Sequence, residues 1–262
     1  MISQESIQKL ARQYHVPEHP NIVREYFQHL FLSELYKLDH ADHLLFKGGT
    51  ALRIVYNSPR FSEDLDFTIS GIASHLHREF VERLFTTVLA SIEHSGVIVT
   101  LGAKPGTTSG GYYGDATFKI FDYEPVVVAI NISSRGARGA SQTGMKPVGE
   151  VDTIASDFIP PYSIFHLSQE ELVSEKIFGA LLDRGKVRDF YDLYFIMRHG
   201  MLTSGQKKEL AKVKDKILKM ANKLDFQSEL AVFLPSDQQN IIRDFGKMLA
   251  AELNRQLSGS FL

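Results

Sequence analysis

The chain has 262 residues, of which 44% are apolar and 18 are Phe, enough to bury a sizeable core in one large domain or two modest ones. It has no Cys, which excludes a disulfide scaffold and thiolate chemistry and suits a reducing cytoplasm. A formal net charge of −2 argues against a protein that coats nucleic acid everywhere, while leaving room for a local basic groove. No basic, apolar leader opens the chain and no run of about 18 apolar residues occurs, so the expectation is a soluble, cytoplasmic protein with no membrane partner.

The first 38 residues read as helices, with Ile7, Leu10 and Ala11 followed by Ile22, Val23, Tyr26, Leu30, Phe31 and Leu35. Leu44-Leu45-Phe46 reads as a short buried strand that runs into two glycines, with a helix over 51–56 behind them. A strand follows at 65–69, a helix at 77–94 on the period of Phe80, Leu84, Val88, Leu89 and Ile92, and a β-branched strand at 97–101. The stretch 102–114 has five glycines plus Thr107, Thr108 and Ser109, which is loop composition. Residues 116–121 and 126–132 read as two strands, and 133–144, with Arg135 and Arg138 among glycines, as a second flexible stretch. Pro160-Pro161 marks the expected boundary between 1–160 and 161–262. Beyond it the reading is wholly helical, over 168–183, 188–199, 206–223 and 236–257. The expected fold class is α+β: a small mixed sheet with helices, followed by a helical C-terminal part.

Two short motifs carry the chemistry. Lys47-Gly48-Gly49-Thr50 places glycines where a helix starts, so a phosphate can approach the backbone closely and meet free N–H groups. A lone Gly-Gly usually means only a tight turn, and Thr50 could be only an N-cap. The second motif, Asp64-Leu65-Asp66, follows with 14 residues between Gly49 and Asp64, a distance suited to one helix and a return strand. On a strand Asp64 and Asp66 share a face while Leu65, Phe67 and Ile69 take other positions on the buried side. Two hard oxygen ligands side by side suit Mg²⁺, whose shell substrate phosphates complete. Together the motifs describe a site for a nucleoside triphosphate with Asp64 and Asp66 as metal ligands.

The order Gly-Gly-Thr, helix, Asp-x-Asp resembles the nucleotidyltransferases with a DNA polymerase β-like core. The fuller string through Arg60-Phe-Ser62-Glu-Asp64-Leu-Asp66-Phe67 is similar to the AbiEii/MenT toxin group. A second block strengthens the resemblance: Ser174-Glu175-Lys176, then Asp183-Arg184-Gly-Lys186-Val-Arg188-Asp189-Phe-Tyr-Asp192. The resemblance implies a nucleotidyltransferase core within 1–160, with Asp64, Asp66 and Lys176 catalytic and Lys176 on the triphosphate. It also lifts Lys47, Gly48, Gly49, Thr50, Arg60, Ser62 and Arg188 as nucleotide-binding residues. The family pattern leads one to expect a third carboxylate on a later strand, where this chain has Asn131. An amide can ligate through its oxygen but brings no charge and no base; Asp115 or Asp122 are other sources of that charge.

The bland alternatives are an ordinary intrahelical pair for Arg188 and Asp192, and a water-facing lysine for Lys176. Asp189 is placed to orient Lys186 or Arg184. Residues 206–223 carry seven lysines against Glu209 and Asp215, on a helix with Leu210, Val213, Ile217 and Met220 at helical spacing. That pattern reads equally as a solvated face and as a platform for RNA phosphates. The resemblance implies an Mg²⁺-dependent enzyme that moves an NMP from an NTP to an acceptor hydroxyl, with a tRNA 3′ end as acceptor, as the toxin of a toxin–antitoxin pair. A separately encoded antitoxin protein would be its partner. The competing readings are nucleotidylation of a protein side chain, or a nucleotide-binding regulator with little turnover.

Overall fold

The computed structural model describes residues 2–102, 106–108, 111–133 and 147–258. The N-terminal layer is helical, as the apolar spacing requires. Helix α1 (Gln4–Gln13) is capped by the Ser3 hydroxyl, which accepts from the Ser6 N–H. Helix α2 (Val23–Leu35) is buried along most of its length, including Tyr26, Phe27, Phe31, Leu32 and Leu35. It packs against α4 (His77–His94), and the two helices cover one face of the sheet. Phe27 stacks on Phe118 of the sheet, and Phe31 meets Phe85 of α4 edge-on, so aromatic contacts tie α2 both to the strands and to α4.

Among the described residues the sheet has eight strands: β1 (Leu44–Lys47), β2 (Leu65–Ile69), β3 (Ile98–Leu101), β4 (Gly106–Thr108), β5 (Gly111–Lys119), β6 (Val126–Ser133), β7 (Gly149–Ile154) and β8 (Tyr162–Leu167). Their order is β3-β5-β6-β2-β1-β8-β7, with β4 paired to β5. Strands β2 and β6 run parallel, as do β1 and β8, and the other pairs are antiparallel. The expected class, α+β with a mixed sheet, is therefore what the chain adopts.

Two expectations fail. The glycine-rich stretch 102–114 is not simply loop: β4 and the start of β5 lie within it. A Cβ at Gly111 would sit 1.8 Å from the Ile132 carbonyl oxygen, so glycine here serves a close backbone approach inside the sheet. Nor is everything beyond Pro161 helical. Strand β8 directly follows it, buried at Tyr162, Ile164 and Leu167, and pairs with β1 near the middle of the sheet. Strand β7, exposed at five of its six positions, has no apolar alternation to betray it. The stretch carrying Arg135 and Arg138 lies outside the described residues.

The helical part begins at α5 (Gln169–Ser174), which runs on without a break through the π-helical Glu175–Leu181 to Leu182–Arg184. Gly185 ends it in the left-handed region at φ +55°. Helices α6 (Val187–Arg198), α7 (Ser204–Ala221), α8 (Phe226–Leu230) and α9 (Phe245–Leu257) complete it. Helix α6 is the central one: Val187, Phe190, Leu193 and Ile196 are all buried, and it packs against α5, α8 and α9.

Candidate nucleotide site

The site grows from one row across the sheet. Register sets Lys47 of β1 opposite Asp66 of β2, Asp66 opposite Asn131 of β6, and Asn131 opposite Tyr113 of β5. Residues paired in register share a face, so this row lies opposite the apolar face that holds Leu65 and Phe67. The Asn131 amide Nδ2 donates to Asp66 Oδ1 at 3.0 Å. Asn131 thus stands beside the aspartates, as its place in the sequence suggested, and offers Asp66 a donor rather than a third negative charge.

The chain passes from β1 straight into a short helix, α3 (Gly48–Ile54). Gly48 has φ +85°, and a Cβ there would lie 2.2 Å from Asp66 Oδ2, so both its conformation and its packing demand glycine. Thr50 is fully buried and gives its hydroxyl hydrogen to the Asp64 carbonyl oxygen. Its side chain therefore ties the glycine turn to the aspartate segment instead of capping the helix; the N-cap position falls to Lys47. Lys47 Nζ is held by Ser133 Oγ at 2.9 Å and Glu175 Oε1 at 3.0 Å, which links β1 to β6 and α5.

Gly49 packs closely against a cationic cluster. A Cβ placed there would meet Arg60 Nη2 at 2.5 Å, Ser62 Oγ at 2.9 Å and Lys176 Nζ at 3.5 Å. Arg60 is 2% exposed and grips Asp192 with Nε and Nη2, at 2.9 Å to Oδ1 and 3.1 Å to Oδ2. Lys176, also buried, donates to Asp192 Oδ2 at 2.8 Å. One carboxylate thus holds two cations, leaving the cluster with an excess positive charge. Burial disfavours the ionised Asp192, but Arg60 and Lys176 outweigh it and hold its carboxyl below the ordinary value.

On the other side of the turn the sign reverses. Burial first, then the charge of Asp66, pushes the Asp64 carboxyl above its ordinary value, against the opposing pull of Arg188 and Arg184. Among the described residues no group of three or more His, Cys, Asp or Glu is placed to hold an ion. The pair Asp64 and Asp66 nevertheless fits Mg²⁺ in a site that substrate completes, since that ion is commonly held by one or two carboxylates plus phosphate oxygens. Mutual repulsion of two half-buried carboxylates is what a cation would relieve.

The second sequence block is rearranged relative to expectation. Arg188 does not pair with Asp192 one turn along; its Nη1 donates to Glu63 Oε2 at 2.9 Å. Asp189 accepts from Arg184 Nε and Nη2 at 2.9 and 2.8 Å and from the Lys186 backbone N–H at 3.1 Å, so it caps α6 and orients Arg184. Asp192, Glu175 and Glu63 are the residues whose roles spacing alone missed. The clue for Asp192 was an acidic residue on the apolar face of α6, flanked by Tyr191 and Leu193. The lysine-rich helix α7 exposes Lys208, Lys212, Lys216 and Lys219 and buries Leu210, Ile217 and Ala221.

The description "Nucleotidyl transferase AbiEii toxin, Type IV TA system" matches residues 30–259. The chain belongs to this family of nucleotidyltransferase toxins of type IV toxin–antitoxin systems. Two solved structures are similar in fold. A candidate nucleotidyltransferase from H. pylori superposes with a TM-score of 0.61 at 20% identity, covering 92% of this chain and 96% of its own. JHP933 from Helicobacter pylori gives 0.53 at 18% identity, covering 98% and 96%. No curated protein matches the sequence significantly. Among the described residues no helix is long and apolar enough to cross a membrane. Membership of the family carries the enzyme class, the toxin role and an antitoxin partner with it.

Proposed function

We propose that this transferase moves an NMP from an Mg²⁺-bound NTP to the terminal hydroxyl of a tRNA 3′ end, with Asp64 and Asp66 holding the metal. The observation that carries the reading is the convergence of Arg60 Nη2, Ser62 Oγ and Lys176 Nζ on Gly49, at 2.5, 2.9 and 3.5 Å from where its Cβ would stand, beside Gly48 and Asp66. A triphosphate seated there meets a guanidinium, a hydroxyl and an ammonium, all anchored before it arrives. Preorganised charge of this kind favours the transition state because nothing need reorient as charge develops. The cations come from side chains rather than from α3, whose seven residues make a weak dipole.

In the reaction the acceptor oxygen attacks the α-phosphorus, the bond to the bridging β-phosphate oxygen breaks, and pyrophosphate leaves. Bound Mg²⁺ supplies Lewis-acid neutralisation of the phosphate oxygens. Lys176 and Arg60 balance the charge gathering on the departing pyrophosphate, and Asp192 fixes both. Asn131 has no basicity, so the hydroxyl proton goes to an aspartate of the pair or to water. Lys47 lies at the rim, held by Glu175 and Ser133, where it can add charge to the γ end. Localisation in the cytoplasm follows from the acceptor.

Incubation of the full chain with each α-labelled NTP and total RNA or cell lysate tests this. Label in tRNA is expected. Label in protein would move the acceptor to a side chain. Label nowhere would favour a nucleotide-binding regulator, the reading that Asn131 in place of a third acid keeps open.

A further inference from the structure

Beside the aspartates, away from Gly49, two more arginines converge on one carboxylate. Arg188 Nη1 donates to Glu63 Oε2 at 2.9 Å, and Arg24 Nη1 of α2 stands 3.6 Å from Glu63 Oε1. The second distance is an ion pair and too long for a hydrogen bond. Arg24 is largely buried, with 13% of its side chain exposed, and its Nε is buried with no hydrogen-bond partner. Glu63 is the most accessible of the three at 38%. The charges of Arg24 and Arg188 both reach Asp64.

This arrangement is under-satisfied. Each guanidinium carries five N–H donors, and one carboxylate cannot serve two such groups. Arg24 and Arg188 also repel one another, so Glu63 offsets only part of a positive site. A structural brace would bring the acid into bidentate contact, as Asp192 does with Arg60. Here the acid is the solvent-facing member, and a buried donor is left without an acceptor.

We propose that Arg24 and Arg188 form a second phosphate-binding point beside the aspartate pair, with Glu63 as a placeholder that the phosphate displaces. This deepens the transferase reading and rests on it for the identity of the neighbouring site. The arginine fork matches phosphate geometry bidentately, and a dianionic or diester phosphate gives Arg24 the acceptor it lacks. The phosphate has two sources: the backbone of an acceptor strand, or the triphosphate itself.

The test uses the full chain, Glu63→Gln and Arg24→Gln, with two probes: a fluorescent single-stranded RNA oligonucleotide and inorganic tripolyphosphate. The placeholder role makes an unusual sign prediction. Glu63→Gln should bind the probe several-fold more tightly, because a competing anion is gone. Arg24→Gln should weaken it about tenfold, the worth of roughly one charge-assisted hydrogen bond. A response confined to RNA assigns the site to the acceptor strand; one confined to tripolyphosphate assigns it to the nucleotide. If Glu63→Gln binds both probes no better than wild type and Arg24→Gln binds them no worse, the cluster is a structural brace and the proposal falls. Should Glu63→Gln fail to fold, the Arg24→Gln arm decides alone. These readouts do not require turnover, so absent labelling in the transfer assay would sink the transferase reading and leave this site standing.

Discussion

The two sides of the Gly48-Gly49 turn are built by opposite means. The acidic side comes from two residues of one short segment: Asp66 in β2, steadied by Asn131 of the adjoining strand, and Asp64 just before the strand begins. The cationic side is gathered from far apart: Arg60 meets Asp192 across 132 residues, and Lys176 joins them from α5. The acids remain half-exposed and mutually repulsive, while the cations are buried and already paired. Unbalanced, reachable carboxylates are what the proposed capture of a metal requires. A site that must hold a bulky anion in one pose fixes its cations in advance, and the cost is a buried ion network that cannot lose a member.

The largest expected effect follows from that network. Asp192→Ala leaves Arg60 and Lys176 buried without a counter-charge, which should cost about 3–5 kcal/mol of stability. Denaturant unfolding should show it, with nucleotide binding lost as well. If Asp192→Ala unfolded like wild type, the two cations would not depend on it. The acidic side should behave in the contrary manner. Asp64→Asn and Asp66→Asn should each lower transfer by roughly a hundred- to thousandfold, while stability holds or rises as repulsion is relieved. Near wild-type turnover of either variant at saturating Mg²⁺ would remove the metal role.

A third expectation separates the fold from the site. His29, buried in α2 with Nδ1 2.8 Å from the Tyr162 hydroxyl oxygen, has its pKa pushed down to about 3, chiefly by burial and then by Arg53. Its ordinary value is 6.5, so the unfolded chain takes up a proton first as pH falls. The stability it confers is complete above pH 6.5 and is lost as pH drops toward 3, by on the order of a few kcal/mol. His29→Gln should flatten that acid limb. Asp192, whose carboxyl is held low, keeps its contribution until pH falls below the ordinary carboxylate range, so the two losses should be resolved by pH. A His29→Gln profile with an unchanged acid limb would put the loss elsewhere.

The same contrast explains what could be read in the chain. Contiguous features were legible: β2 spans 65–69 and α4 spans 77–94 as the apolar periods require, because local geometry alone sets those periods. The aspartate pair shared that advantage. What escaped was whatever depended on tertiary partners. Helical spacing offered Asp192 the neighbour Arg188, yet tertiary packing turned it to Arg60 and turned Arg188 to Glu63. Strand β8 escaped because Pro160-Pro161 looked like a boundary and its burial comes from β1 and β7 on either side. Thr50 was grouped with the glycines, but a fully buried hydroxyl bonded to the Asp64 carbonyl serves the turn.

The smallest effect is expected at Asn131. Asn131→Asp exchanges a donor to Asp66 for a third acid, so Mg²⁺ affinity should rise severalfold, and turnover with it if the wild-type site is weakly charged. Unchanged metal affinity would mean that Asn131 only steadies Asp66. The central claim, that a triphosphate sits against Gly49 between the acids and the cations, is tested most directly by titrating Mg²⁺-bound NTP into wild type and Gly49→Ala. The added methyl would stand 2.5 Å from Arg60 Nη2 and 2.9 Å from Ser62 Oγ, so the ends of these two side chains must shift slightly without leaving their partners, while the backbone conformation suits alanine. Affinity should fall by about tenfold or more, with the melting temperature moved by only a few degrees. Undiminished nucleotide binding by a folded Gly49→Ala protein would contradict the account.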